Sequence, residues 1–319
     1  MATIKDVAKA AKVSISTVSY SLNNDPRIPE KTAAVIRKIA HEIGYFPSAA
    51  ARNLKKQNTQ TIMVAIADFG GPVYHNLLDG IHHELAKSNY TMIVSTGISS
   101  ENLLKERSAD GAIITDIKIS DESLSKIAHS FRPIVVLDRI LEDDNIFTMT
   151  IDNQRAMSEM TMAIINEGYQ KIAFVHGVKK SNDNIERYLG FEKTMRKANI
   201  PIFAEYEGNF TKASGNELIS RLLKENADLP EMFVAANDEM ALGIIEALQK
   251  AGHKVPGEYG VSGFDDIEMA VYARPQLSTV RIDYFAWGRE IAATTIALLK
   301  NQPIHLHRQP GSVIIRESF

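Results

Sequence analysis

The chain has no cysteine, which excludes disulfides, thiolate metal sites and a cysteine nucleophile. It has no apolar run of about eighteen residues, so a membrane span is not expected. Common catalytic signatures are missing too: there is no G-x-G-x-x-G, no Walker A sequence and no H-E-x-x-H. Asp68-Phe69-Gly70 spells a kinase tripeptide, yet no phosphate loop, catalytic loop or strand lysine accompanies it. His82-His83 and His305-x-His307 lack the further ligands and spacing of a zinc site. Asn209-Phe210-Thr211 spells a glycosylation acceptor, which is idle without secretion. The N-terminus shows no charged, apolar, small-residue signal pattern, so a cytoplasmic location is expected. No catalytic residue, metal or cofactor is expected.

What is present begins at residue 3. Thr3 and Asp6 stand three apart ahead of the apolar stripe Val7, Ala8 and Ala11, a helix-start pattern. The stripe stops at Lys12-Val13. Ser14 is expected to cap a second short helix, answered by Thr17, with Val18 and Leu22 as its apolar side. Two short helices joined by a tight turn suit the helix-turn-helix, whose second helix enters the DNA major groove. Its outer face would carry Ile15, Ser16, Thr17, Ser19 and Tyr20, with hydroxyls suited to phosphates and bases. A purely structural three-helix subdomain would show the same pattern.

A third helix is expected from Glu30 to Ile43, with Val35, Ile36, Ile39, Ala40 and Ile43 inward and Gly44 as its stop. Then Ser48 heads an alanine-rich segment of some eight residues that ends at Lys55-Lys56. Alone it is too short for a stable helix, so it would order only on binding. Small residues such as Ala51 would let two copies approach, Leu54 could act as an apolar wedge, and Lys55 could reach phosphate. A plain interdomain linker fits the same composition.

Charge is divided along the chain. Residues 1–60 carry a balance of +6, against −3 for the whole chain, which leaves −9 on residues 61–319. A basic head on an acidic body concentrates attraction for polyanions at one end.

Residues 3–56 resemble the DNA-binding headpiece and hinge of the lactose-repressor/galactose-repressor (LacI/GalR) family of bacterial transcription regulators. The likeness rests on Ile4-x-Asp6-Val7-Ala8, Val13-Ser14, Thr17-Val18-Ser19, Leu22-Asn23, Gly44-Tyr45-x-Pro47 and Ala51-Arg52-x-Leu54. It implies that Thr3, Ser14, Asn23 and the outer face of the second helix contact DNA. It also implies paired hinge helices in the minor groove, with Leu54 pushed into the central base step. Lys12 departs from the family's usual turn glycine and would cost about 1 kcal/mol if that turn needs positive φ. Tyr20 stands where many members carry an arginine for guanine, so the operator should differ there. Ser48 replaces a common asparagine and keeps the capping chemistry.

From residue 61 the pattern alternates strand and helix. Strands are expected at Ile62–Ala67, Met92–Ser95, Ala112–Thr115, Ile134–Leu137, Ile172–Val175, Met232–Ala235 and Tyr259–Gly263. Between them lie helical patterns such as Tyr74–Ser88, Gln154–Glu167, Ile185–Ala198, Ser214–Glu225 and Glu239–Ala251. This is an α/β pattern of parallel sheets covered by helices. The first cycles end near Asp152 and a fresh set begins, so two lobes with a ligand cleft at the strand ends are expected. The body resembles the family's periplasmic-binding-protein-like core, which implies three crossings, placed near 151, 282 and 309. The expected division is 1–60 for headpiece and hinge and 61–319 for the effector-binding and dimerisation core. Lobe 1 would hold 61–151 and 283–309, and lobe 2 would hold 152–282 and 310–319. Between Thr96 and Asp110 the chain is shorter than in relatives, leaving room for only a short helix around Glu101–Arg107.

Several polar groups fall at the ends of expected strands: Asp138, Asn237 and Asp265, with Arg187 early in a helix. Carboxylates, an amide and a guanidinium suit a polyhydroxylated ligand, and Phe210 or Tyr74 can stack on its apolar face. Asn237 could equally cap a helix, and Asp265 could satisfy loop amides. The family resemblance implies effector contacts at Tyr74, Asp138, Arg187, Phe210, Asn237 and Asp265. Ile282 stands where some sugar-binding relatives place a polar contact.

The expected protein is a dimeric transcription regulator, a repressor released from a palindromic operator by a sugar-like effector. A regulator strengthened by a small-molecule or protein corepressor is the alternative. A sugar receptor or a sugar-processing enzyme using Asp138 with Asp265 stands further off.

Overall fold

The structure is a computed structural model that describes residues 2–46, 58–131 and 133–319. The chain divides into two compact units, residues 1–59 and 60–319.

In the first unit, helices α1 (Ile4–Ala11), α2 (Ile15–Leu22) and α3 (Glu30–Glu42) close around Val7, Ala8, Val18, Ile36 and Ala40. The Asp6 carboxylate accepts from the N–H and hydroxyl of Thr3, at 2.8 and 2.7 Å, and fixes the start of α1. Lys12 ends that helix at φ 53°, in the left-handed region that glycine adopts without a Cβ penalty. Ser14 Oγ accepts from Thr17 N at 3.0 Å and opens α2. One expectation for α3 fails: Val35 and Ile43 are exposed, at 56% and 36%. Ala33, Ile36 and Ala40 form the inward stripe instead; Val35 lies about 100° round the helix from Ile36, and Ile43 is the C-cap.

The second unit holds two parallel sheets. Strands β1 (Thr61–Ile66), β2 (Thr91–Thr96), β3 (Gly111–Ile114), β4 (Ile134–Val136) and β5 (Ile146–Thr148) form the first, in the order β2-β1-β3-β4-β5. Strands β6 (Ile172–Val175), β7 (Ala204–Tyr206), β8 (Met232–Ala235) and β9 (Gly260–Ser262) form the second, in the order β7-β6-β8-β9. Strands β1, β3, β4, β6 and β8 are buried along their whole length, as expected of sheets covered on both faces. Four strands were not legible as such: β5, β7, and the antiparallel pair β10 (Thr279–Arg281) and β11 (Ser312–Ile314). Each has only three residues.

The covering helices are α4 (Val73–Lys87), α5 (Ile98–Lys105), α6 (Asp121–Ala128), α7 (Asn153–Asn166), α8 (Asn182–Lys197), α9 (Lys212–Lys224), α10 (Asp238–Lys250), α11 (Glu268–Tyr272) and α12 (Tyr284–Leu299). Helix α5 lies three residues ahead of the expected Glu101, with a positive-φ glycine, Gly97, before it. The chain passes between the sheets beside Ile151 and Gln309, where Gln309 N donates to Thr150 O and Asp152 N donates to Gln309 O, both at 2.8 Å. A further passage follows β10, and α12 then packs on α4 beside the first sheet. Among the described residues no helix is long and apolar enough to cross a membrane.

Candidate functional site

A cavity of about 270 Å³ opens where strands of both sheets end. Ala67 follows β1, Thr115 follows β3, Asp138 follows β4, Asn237 follows β8 and Asp265 follows β9, and all of them line it. Parallel sheets bind ligands at this end because the loops and helix N-termini there present unpaired polar groups. Tyr74, Arg187 and Phe210 line the same space.

Arg187 is the centre of the polar wall. It is 3% exposed, and each part of its guanidinium is held. Nε donates to Asn153 Oδ1 at 2.9 Å, Nη1 to Ala236 O at 2.7 Å and Nη2 to Asp265 Oδ1 at 3.2 Å. The Phe264 ring lies 3.7 Å beneath the guanidinium carbon. Burial is the largest influence and opposes the charge, but Asp265, Asp183, Tyr284 and Asp238 together outweigh it and strengthen the proton affinity of Arg187. Asp265 sits at φ 112° and also accepts from Tyr284 Oη at 2.8 Å. Burial pushes its carboxyl up from the usual range, with Arg187 and Tyr284 pulling the other way. Its role is thus more than capping loop amides.

Asn237 does both things its sequence allows. Its Oδ1 caps α10 by accepting from Met240 N at 3.1 Å, while Nδ2 donates to Phe210 O at 2.9 Å. That bond helps hold Phe210 at φ 68°. The Phe210 ring occupies the space beside Gly177, where a Cβ would come within 2.2 Å of Cε1. Asp138 is held by Arg139, whose Nη2 and Nε donate at 2.8 and 3.1 Å. Burial raises its carboxyl in spite of that partner, and burial likewise raises the Tyr74 phenol.

Asp183, Glu239, Tyr284 and Trp287 are among the lining residues that the sequence did not single out. Tyr284 and Trp287 stand three apart in the first turn of α12, just after a passage between the sheets, and that spacing was the available signal. Ile282 is buried and is not among the lining residues. Leu77, Leu137, Ile151 and Val178 supply an apolar wall.

In the headpiece, Ile15, Ser16, Thr3, Ser14 and Asn23 are exposed, and Thr17, Ser19 and Tyr20 are half-buried. Several of these groups also hold the helices together. Asn23 Nδ2 donates to Ser19 O at 2.7 Å, and the Ser14 and Thr17 hydroxyls are 2.8 Å apart. Tyr20 lies under the Arg27 guanidinium, 4.0 Å from its ring centre, so a cation accompanies the tyrosine on this face. Ala51, Leu54 and Lys55 lie outside the described residues.

The description "Bacterial regulatory proteins, lacI family" matches residues 3–48, and "Periplasmic binding protein-like domain" matches residues 162–319. Catabolite control protein A of Priestia megaterium is 31% identical over 290 residues, covering 87% of this chain and 86% of that protein. A sugar-binding transcriptional regulator (LacI family) from Enterococcus faecalis is 30% identical in its crystal structure. The two align with a TM-score of 0.76 over 82% of this chain and 97% of that one. The lac repressor dimer bound to operator and the anti-inducer ONPF shares the fold, with a TM-score of 0.87 at 24% identity over 99% of this chain and 98% of that one. With a lacI-family match at residues 3–48, a binding-protein-like match at 162–319 and a relative 31% identical over most of both chains, the chain belongs to the LacI family of bacterial regulatory proteins, as a DNA-binding transcription regulator with an effector-binding domain.

Proposed function

We propose that the protein is a homodimeric repressor that leaves a near-palindromic operator when a small sugar or sugar derivative enters the cavity. The observation that carries this reading is the cavity wall itself. Arg187, Asp265, Asn237 and Asp138 offer fixed polar partners for hydroxyls, and the rings of Tyr74 and Phe210 line the same space. The E. faecalis regulator it resembles is described as sugar-binding, which agrees with this reading.

The coupling follows from where the lining residues come from. Residues 61–151 and 283–309 would move as one lobe against 152–282 and 310–319. A ligand touching both favours one arrangement and shifts the population toward it. The change would reach the headpiece through residues 48–56, where Ala51, Leu54 and Lys55 would serve the hinge contact with DNA. The protein would act in the cytoplasm.

The test is fluorescence anisotropy of a selected operator duplex titrated with protein, with and without pooled free sugars. Weakened binding with one pool supports induction. Strengthened binding makes the sugar a corepressor. Indifference to every pool removes the sugar reading.

A further inference from the structure

We propose that the cavity selects amino sugars, accepts uncharged sugars and turns away sugar phosphates and sugar acids. This rests on the sugar reading above and narrows it by charge.

Among the described residues four carboxyl groups line the cavity, Asp138, Asp183, Glu239 and Asp265, against one lining cation, Arg187. That cation is already committed. Its charge is answered by Asp265 at 3.2 Å, and Asn153 and the Ala236 carbonyl take one donor each from Nε and Nη1, which leaves two N–H groups for neutral hydroxyls. Asp138 has its own partner in Arg139. Asp183 and Glu239 differ. Asp183 accepts only from the neutral Asn153 amide at 2.8 Å, and among the described residues neither carboxyl is paired with a lysine, arginine or histidine.

Among the described residues no lysine or histidine lines the space. Lys118, beside the lining residue Ile117, donates its ammonium to the Ala67 carbonyl at 3.1 Å. Burial is the main cause that pushes the Glu239 carboxyl up, and the nearby carboxylates of Asp265 and Asp68 add to it. An incoming phosphate or carboxylate would meet an excess of carboxylates without an unpaired lining cation among the described residues to answer it. An ammonium would meet two carboxylates lacking a cationic partner, and charge-assisted hydrogen bonds of this kind are strong.

The remaining contacts fit a hydroxylated ring. Trp287 is 4% exposed and lines the cavity, and its indole N–H has no partner among the described residues. A buried donor in that condition calls for an acceptor, which a sugar hydroxyl or ring oxygen supplies. The volume of about 270 Å³ suits a ligand of monosaccharide size.

The test is calorimetric titration of the full-length protein with matched sets of glucose, galactose and mannose. Each set comprises the parent sugar, its 2-amino-2-deoxy form and its 6-phosphate. In any set that binds, the amino sugar should bind several-fold more tightly than the parent, and the phosphate about 100-fold more weakly. Replacing Asp183→Asn and Glu239→Gln together should cost the amino sugar about tenfold and the parent less than threefold. A phosphate binding as tightly as its parent would overturn the selection by charge while leaving the sugar reading intact. Equal losses for amino and parent sugars would overturn the role of the two carboxyls. Silence from all three sets, with operator binding also indifferent to sugar pools, would remove the sugar reading and this inference with it.

Discussion

Arg187 and Tyr284 donate to the same oxygen, Oδ1 of Asp265, at 3.2 and 2.8 Å. Arg187 belongs to α8 and Tyr284 opens α12, so one carboxylate oxygen ties helices that lie on opposite sides of the passage between the sheets. A ligand that competes for either donor would act on the relation between the two halves of the core.

Removing the guanidinium leaves Asp265 as a buried charge without its cation. Arg187→Ala should therefore destabilise the protein by about 3–5 kcal/mol, beyond any loss of ligand response. Arg187→Ala with Asp265→Asn should recover more than about 1 kcal/mol of the summed single losses. Urea denaturation of the four proteins measures this. Strict additivity would separate the two residues.

Asp238, at the start of α10, is fully buried and accepts from Ile267 N at 2.9 Å and from the Thr279 hydroxyl. Burial pushes its carboxyl well above the usual range, only partly offset by those bonds. A folded-state value above the unfolded one, near 3.9, means that this group's contribution is present at low pH and lost as pH rises through the folded value. Asn can accept from Ile267 and donate to Thr279 without titrating. The stability of Asp238→Asn relative to the parent should therefore improve as pH is raised from about 4 to 7. Urea midpoints across that range would reveal it, and a parallel pair of curves would show that the carboxyl does not titrate there.

Helices α4 and α12 touch through a glycine. A Cβ on Gly288 would come within 2.3 Å of the Leu77 carbonyl oxygen. Gly288→Ala should cost about 1–3 kcal/mol by forcing the helices apart. An unchanged denaturation midpoint would mean that the contact yields freely.

Lys12 holds a left-handed conformation at φ 53° with its side chain exposed. Lys12→Gly should stabilise the headpiece by up to about 1 kcal/mol, strain relief being reduced by a more flexible unfolded chain. Amide hydrogen exchange of α1 and α2 in the full chain would show slower opening, and faster exchange would contradict it.

Much of this was legible in the sequence because long apolar strands and amphipathic helices declare themselves locally. Ile172–Val175 and Met232–Ala235 appear with their expected bounds, and the caps at Thr3, Ser14 and Asn237 are local as well. What escaped depends on partners far away in sequence. Strands such as Ala204–Tyr206 and Ser312–Ile314 are three residues long and exist through their pairing with β6 and β10. Trp287 and Tyr284 carry no local signal of a site beyond their spacing, and only the fold brings them to the cavity. Asp183 falls ahead of the expected helix at Ile185, and only in the structure does it enter the first turn of α8 beside the cavity. Asp138, Arg187 and Asp265 were visible because strand ends and helix starts in such folds converge.

The most direct measurement is selection of bound sequences from random duplex DNA by the full-length protein. The expected result is one enriched, near-palindromic sequence, lost when Ser16 and Tyr20 on the outer face of α2 are both replaced by alanine. Failure to enrich any symmetric sequence would contradict a dimeric regulator reading DNA through this helix.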